Sequence, residues 1–208
     1  MAGVTPKRAD DHLLTPDNAA LVLIDYQPEQ VGTVRSIGHD EMMLNITAVA
    51  RAARAYELPV VLSTVGVELG VNTGTIAELR DALPDTEEVD RTTLNSWEDA
   101  DFRAAVEATG RKKIIMTGLW TEVCVAFPTL DLLREGYDVY PVEDAIGGIS
   151  RSAHEQAMVR MTNAGAQPVT ATSLVAELQR DWGRPGADKL RSVLRWYFPK
   201  LDELGTAR

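Results

Sequence analysis

The only cysteine of the 208-residue chain, Cys124, lies between apolar neighbours in the stretch "GLWTEVCVAFPTL". As a thiolate it is a nucleophile that can attack a carbonyl carbon; as a thiol it packs like a small hydrophobe, the commoner fate of a free cysteine. Its position bears on the choice. The run "KIIMTG" ends at Gly118 and "TEVC" follows with Thr121 spaced as an N-cap, so Cys124 is expected in the first turn of a helix. Unpaired backbone N–H groups and the positive end of the helix dipole favour a thiolate there, and the same N–H groups can hold an oxyanion. Pro128 adds a second sign. It cannot donate the backbone bond that the Cys124 carbonyl would accept in a regular helix, which marks either a strained functional turn or a plain kink.

A nucleophile needs a base, and Asp25 is the candidate. It closes the apolar run "AALVLI". A carboxylate at a buried strand end is partly desolvated, which raises its pKa toward the range useful for proton transfer; a helix cap or a salt-bridge partner is the alternative reading. His12, His39 and His154 are far apart and show no HxH or HExxH spacing, so no metal is expected. His154, in the polar stretch "SRSAHEQAM", is a poor candidate to partner the thiol. The glycines of "GVELGVNTG" lack a phosphate-loop spacing, and no cofactor is expected.

These residues must be positioned by the elements around them. "AALVLIDY" (19–26) and "LPVVLSTV" (58–65) read as strands buried on both faces, with an amphipathic helix over 40–56 between them. The alternation continues with a helix over "DADFRAAVEATG" closed by Gly110, the strand "KIIMTG", a helix over "TEVCVAFPTLDLLREG" closed by Gly136, and the strand "YDVYPVEDA". A helix over "SRSAHEQAMVRMTNAG", a short strand "AQPVTAT" and a final regular helix "SLVAELQRDWG" complete it. Such alternation predicts an α/β fold with an open, mostly parallel sheet and helices on both faces. Ligands of such sheets bind beyond the carboxyl ends of the strands, where Asp25 and Cys124 both fall. The expected organisation is one domain over 1–183 and a tail over 184–208, whose Trp196, Tyr197 and Phe198 pack on a neighbouring subunit or on their own domain.

Composition narrows the function classes. The formal charge of −10 argues against nucleic acid and anionic membrane surfaces as partners, and leaves a small molecule or another protein chain. No apolar run reaches the roughly 18 residues of a membrane span, and "MAGVTPKRADDHLLTPDN" lacks the apolar stretch of a signal peptide. One cysteine excludes an intrachain disulfide, in keeping with a reducing compartment. A cytoplasmic protein is expected.

The motifs "LIDYQ", "VDRTTLNSWEDADF" and "TGLWTEVCVAFPTLDLLREGYDVYPVEDA" together resemble the isochorismatase-like cysteine hydrolase superfamily, most closely its YcaC-type branch, over about residues 12–183. The resemblance implies a three-layer α/β/α, Rossmann-like fold with a six-stranded, mostly parallel sheet. It also implies a catalytic triad of Asp25, a basic residue and Cys124. The basic residue is commonly lysine, but Lys7, Lys112, Lys113, Lys189 and Lys200 all lie elsewhere, and Arg91 stands in its place, as in the YcaC-type branch. Arginine keeps the charge yet does not release its proton near neutral pH, so Arg91 is expected to lower the thiol pKa and to anchor Asp25 or a substrate oxygen. A non-proline cis peptide between Leu119 and Trp120 is implied as well, aiming the Trp120 and Cys124 N–H groups at one oxyanion. Relatives form multimers, octamers in the YcaC-type branch, so a homo-oligomer is expected. The Asp-x-His-x-His metal motif of the nicotinamidase branch is missing from the sequence.

The expectation is therefore a cysteine-nucleophile hydrolase of a small amide or related C–N bond, working through a thioester, with Asp25 as general base and acid. Tyr26, Glu68, Asn95 and Trp97 are candidates to line the pocket. Two alternatives stand beside it: a vinyl-ether hydrolase of isochorismatase type, and a non-enzymatic oligomeric binding protein with a reactive thiol.

Overall fold

A computed structural model describes residues 11–206; residues 1–10, with Lys7 and most of the stretch read as free of a leader, and residues 207–208 lie outside the described residues. The chain runs β1 (Ala19–Ile24), α1 (Pro28–Val31), α2 (His39–Ala55), β2 (Val60–Val65), α3 (Ala77–Ala82), β3 (Glu88–Arg91) and α4 (Ala100–Ala108). It continues with β4 (Lys113–Gly118), a π-helical turn (Thr121–Val125), α5 (Ala126–Arg134), β5 (Asp138–Pro141), α6 (Arg151–Asn163), α7 (Ala171–Gln179) and α8 (Ala187–Thr206). No described helix is long and apolar enough to cross a membrane.

All strand pairs are parallel, in the order β3-β2-β1-β4-β5. β1 is central and every one of its residues is buried, which is why its sequence is apolar without interruption. Its side chains alternate between two cores. Leu21 and Leu23 join the layer of α2, α3, α7 and α8, through Met42, Ile46, Leu79, Leu174 and Val193. Ala20, Val22 and Ile24 join the layer of α4, α5 and α6, through Phe102, Val106, Leu132 and Met161. The result is the expected three-layer α/β/α architecture.

The sheet has five strands, not six, and their identity differs from the sequence reading. β3, "EVDR", was not legible as a strand because three of its four residues are charged and it lies at the sheet edge, where one side faces no neighbour. The segment "AQPVTAT" pairs beside β5 through Gln167 N–H to Val139 O, Val169 N–H to Pro141 O and Glu143 N–H to Val169 O, each at 2.9 Å. The bond that would complete a ladder, from residue 141 back to the Gln167 carbonyl, has no donor because residue 141 is proline. Only the isolated bridge Val142↔Val169 remains of the sixth strand.

The tail also departs from expectation. Instead of ending at α7, regular structure continues into α8, a 20-residue helix with Pro199 inside it. Leu190, Val193 and Tyr197 are buried against the α2 layer, and Arg51 stacks its guanidinium 4.4 Å from the Trp196 ring, so the first half of α8 packs on its own domain. Trp182, Phe198 and Leu201 stay exposed.

Candidate active site

The order of strands reverses at β1: β2 and β3 lie to one side, β4 and β5 to the other, so the crevice of the sheet opens at the carboxyl ends of β1 and β4. Ile24 and Gly118 are register partners there, and the Leu119 N–H donates to the Ile24 carbonyl at 3.0 Å. Glycine is required at 118. A Cβ would stand 2.9 Å from both the Cβ and the carbonyl oxygen of Ile24.

Asp25 follows β1 with φ of 58°, a left-handed backbone that aspartate tolerates better than most residues. Its carboxylate is fully buried. Oδ2 accepts a 2.6 Å bond from Arg91 Nη2, and both side chains are 0% exposed. Oδ1 is buried with no conventional hydrogen-bond partner among the described residues. Arg91 ends β3, two strands away, and reaches across the end of β2; its Nη1 donates to the Thr93 carbonyl, which fixes the guanidinium. Asp90 beside it turns the other way, accepting from Thr64 Oγ1 at 2.8 Å and from the Val67 and Glu68 N–H groups, and so holds the loop after β2.

Cys124 is 5% exposed and lies in the π-helical turn that follows β4. Its thiol interacts with the side chains of Asp25 and Arg91. Burial pushes the thiol pKa up to about 12; the Asp25 charge adds to the rise and Arg91 opposes it. Burial likewise raises Asp25 to about 6, against the pull of Arg91 and Cys124. The thiol is thus raised, not lowered as expected: Arg91 does pull its pKa down, but burial and the Asp25 charge outweigh that pull. At neutral pH the pair rests as carboxylate and thiol, with the proton acceptor next to the proton.

The turn itself differs from a capped α-helix. Trp120, not Thr121, is the flanking residue, and the Thr121 hydroxyl instead meets His154 Nδ1 at 2.9 Å. His154 is therefore engaged with Thr121, not with the thiol. The Trp120 carbonyl accepts the Val123 N–H at 3.1 Å and the Val125 N–H at 3.2 Å, passing over the Cys124 N–H between them. The Leu119–Trp120 peptide is cis. α5 begins only at Ala126, so Pro128 falls in its first turn, where a missing N–H costs nothing; the irregularity seen in the sequence is the seam between the two helical pieces.

Four further candidates have their hydrogen bonds with other partners. The Tyr26 ring is fully buried, with its hydroxyl bonded to the Ala145 carbonyl at 2.7 Å. Asn95 Nδ2 donates to Asp131 Oδ2 at 2.8 Å and Trp97 Nε1 to Glu135 Oε1 at 2.9 Å, which ties both to α5 and its end. Glu68 is exposed, and its N–H bonds Asp90. Residues not singled out in the sequence do contribute. Gln27, fully buried, exchanges bonds with the Val65 backbone and donates to the Thr73 carbonyl at 2.7 Å, stapling the loop beyond β2. Its signal was a polar residue directly after a buried strand end. Trp120, already expected at the oxyanion hole, has a further tie: its Nε1 donates to Thr33 Oγ1 at 2.7 Å, which pins the indole to the loop after α1. No group of three or more histidine, cysteine or carboxylate side chains that could hold a metal occurs among the described residues. A groove of about 540 Å³ lies toward the amino-terminal ends of β2 and β3, lined by Leu58, Val61, Leu83 and Val89 among others, without Asp25 or Cys124.

Residues 19–173 match the Isochorismatase domain family. Over 195 residues the chain is 37% identical to "Probable hydrolase YcaC" of Escherichia coli (strain K12), with 93% of each chain covered. The crystal structure of the E. coli YcaC gene product, described as an octameric hydrolase of unknown specificity, superposes with a TM-score of 0.86 at 36% identity, over 95% of this chain and 96% of that one. YcaC from Pseudomonas aeruginosa, solved with hexane-2,5-diol and covalent acrylamide, gives 0.86 and 36% over 99% and 98%.

Proposed function

The chain belongs to the isochorismatase family, and we propose that within it the protein is a cysteine-nucleophile hydrolase of a small amide or related C–N bond. The observation that carries this reading is the enclosed trio. A carboxylate anchored at 2.6 Å by Arg91 keeps one oxygen without a conventional partner, and it interacts with the only thiol of the chain.

In the reaction proposed, Asp25 Oδ1 takes the thiol proton as Cys124 Sγ bonds to the substrate carbonyl carbon. The Trp120 and Cys124 N–H groups hold the oxyanion. When the carbonyl re-forms, the C–N bond breaks and Asp25 returns its proton to the leaving amine, which leaves a thioester on Cys124. Asp25 then takes a proton from water as the water oxygen attacks; the C–S bond breaks, the acid leaves and the proton goes back to sulfur. Arg91 stays charged throughout and compensates the carboxylate whenever it is ionised.

The nearly closed thiol favours small substrates, and the engagement of both Arg91 Nη groups favours uncharged ones. The vinyl-ether alternative draws on the raised Asp25 pKa, since that reaction needs an acid. Against it stands a guanidinium whose two Nη atoms already meet Thr93 and Asp25. The proposal includes a cytoplasmic setting, where a lone thiol stays reduced, and a homo-oligomer as described for the E. coli relative, supported by exposed Trp182, Phe198 and Leu201.

The test is amine release from a panel of small amides by native protein and by Cys124→Ala, with acrylamide as a covalent probe because the Pseudomonas relative was solved with it bound covalently. Turnover lost in the variant, with a trapped thioester in the native enzyme, supports the reading. Undiminished turnover in Cys124→Ala would remove Cys124 as nucleophile; acrylamide labelling of Cys124 without turnover of any amide would favour a binding protein.

A further inference from the structure

The corner that presents Asp25 is held from several sides. The Asp25 N–H donates to the Ser63 carbonyl at 2.9 Å, the Gln27 N–H to the Asp25 carbonyl at 2.8 Å, and the Ile76 N–H to the Tyr26 carbonyl at 2.9 Å. These bonds anchor the corner toward β2. Toward β4 the Leu119 N–H holds the Ile24 carbonyl at 3.0 Å, and one side chain of the corner itself adds support on that side. The Tyr26 hydroxyl bonds the Ala145 carbonyl at 2.7 Å and lies within hydrogen-bonding influence of the Thr117 side chain and the Gly118 backbone, the last two residues of β4 before the Cys124 turn. Ala145 is linked in turn to α8. The preceding carbonyl, that of Asp144, accepts from Asn45 Nδ2 of α2 at 2.9 Å, and Asn45 Oδ1 accepts from the Tyr197 hydroxyl of α8 at 2.7 Å. Tyr26, Asn45, Ala145 and Tyr197 are all buried.

We propose that Tyr26 is a positioning residue for Asp25: its hydroxyl sets the strand end bearing the carboxylate against the turn bearing Cys124, and the buried bonds through Asn45 to Tyr197 make α8 part of the same support. The inference rests on the hydrolase reading for its meaning, but its test does not. Asp25 sits in the left-handed backbone region, which a non-glycine residue keeps only where its surroundings enforce it. Removing the hydroxyl leaves the fully buried Ala145 carbonyl without its partner, and the corner is free to relax. A displacement of a fraction of an ångström between base and nucleophile is enough to slow proton transfer.

Cys124 serves as the probe. Its alkylation by iodoacetamide, followed against pH in the full chain, reports the Asp25 protonation state whether or not any amide is hydrolysed. The charged or titratable groups acting on Asp25 are Arg91 and Asp90 from β3 and Cys124 from the π-helical turn, and none of them is altered in the variants. In Tyr26→Phe the rate above the Asp25 step is expected to fall about tenfold. Its midpoint should move up by about half a unit or more, as the Arg91 contact loosens. Tyr197→Phe should move it in the same direction by less, and the double variant should show no more than Tyr26→Phe alone. Tyr56→Phe is the control, since it removes a buried hydroxyl bonded at 2.9 Å to Gln179, outside this network, and should leave the profile unchanged.

A Tyr26→Phe protein that melts earlier but keeps the native midpoint and rate would overturn the proposal, as would an equal shift in Tyr56→Phe. An unshifted Tyr197→Phe would overturn the extension to α8. If no amide is hydrolysed at all, the hydrolase reading falls while a shifted alkylation profile still upholds Tyr26 as the residue that places Asp25.

Discussion

Arg91 Nη2 meets Asp25 Oδ2 at 2.6 Å with both side chains closed to solvent, although the two residues end strands that are not neighbours in the sheet. β2 lies between them. The guanidinium spans that gap, held at its far side by the Thr93 carbonyl, and the contact uses one oxygen of the carboxylate and leaves the other. A lysine could match the charge, but its single nitrogen lacks the planar fork whose two Nη atoms here reach separate acceptors.

Removing one partner strands a buried charge. Arg91→Met is expected to destabilise the protein by about 3–5 kcal/mol at pH 8, where Asp25 is ionised. At pH 5 the cost should be smaller, since without Arg91 the carboxyl pKa rises further and the group can be neutral. Urea unfolding of native protein and variant at the two pH values measures the difference; an equal cost at both would show that the pair is not what the substitution disturbs.

The pH dependence follows from Asp25 and Cys124 as a coupled pair. Amide turnover should rise through about pH 6 as Asp25 ionises and then hold a plateau, since the thiol keeps its proton until about pH 12. In Asp25→Asn turnover should be lost, the alkylation step near pH 6 should vanish, and the upper step should move to lower pH because the carboxylate no longer opposes the thiolate while Arg91 remains. Stability runs the opposite way to activity. The folded-state pKa of Asp25 is raised, so its favourable contribution is complete below about pH 4 and is lost as pH rises through about 6. The loss amounts to about 3 kcal/mol in order of magnitude, and its slope should be missing from Asp25→Asn.

Gly118→Ala probes the spacing of the two strand ends. A Cβ there has no room beside Ile24 and also comes within 3.2 Å of Val125 Cγ2, so β1 and β4 must part at the level of Asp25. A loss of about 1–3 kcal/mol is expected. Amine release should fall more than stability alone explains when measured well below the melting temperature; a variant that is less stable yet fully active would mean that the spacing is not critical to the reaction.

The sequence disclosed what depends on burial and concealed what depends on reach. β1, β2 and β4 are legible because strands covered on both faces are largely apolar, β1 without interruption. β3 is not, since an edge strand of "EVDR" carries no such pattern, and the sixth strand was over-read because an apolar alternation says nothing of the donor that Pro141 lacks. α8 passed for a tail, its apolar stripe obscured by charges and by Pro199. Asp25 and Cys124 stood out through their place after strands. Arg91 came only from a motif, for no local spacing reveals a side chain that crosses a neighbouring strand end. Tyr26 reads as a pocket candidate from its place near a strand end, and only the fold places its hydroxyl on Ala145.

The enclosure of Arg91 with Asp25 and Cys124 has an electrical corollary. Guanidinium, carboxylate and thiol sum to zero, and moving the proton from sulfur to carboxylate gives guanidinium, acid and thiolate, again zero. The opening step only redistributes charge inside a closed space, so no ion must be drawn from solvent to balance it. Its rate with an uncharged substrate should therefore be nearly indifferent to ionic strength.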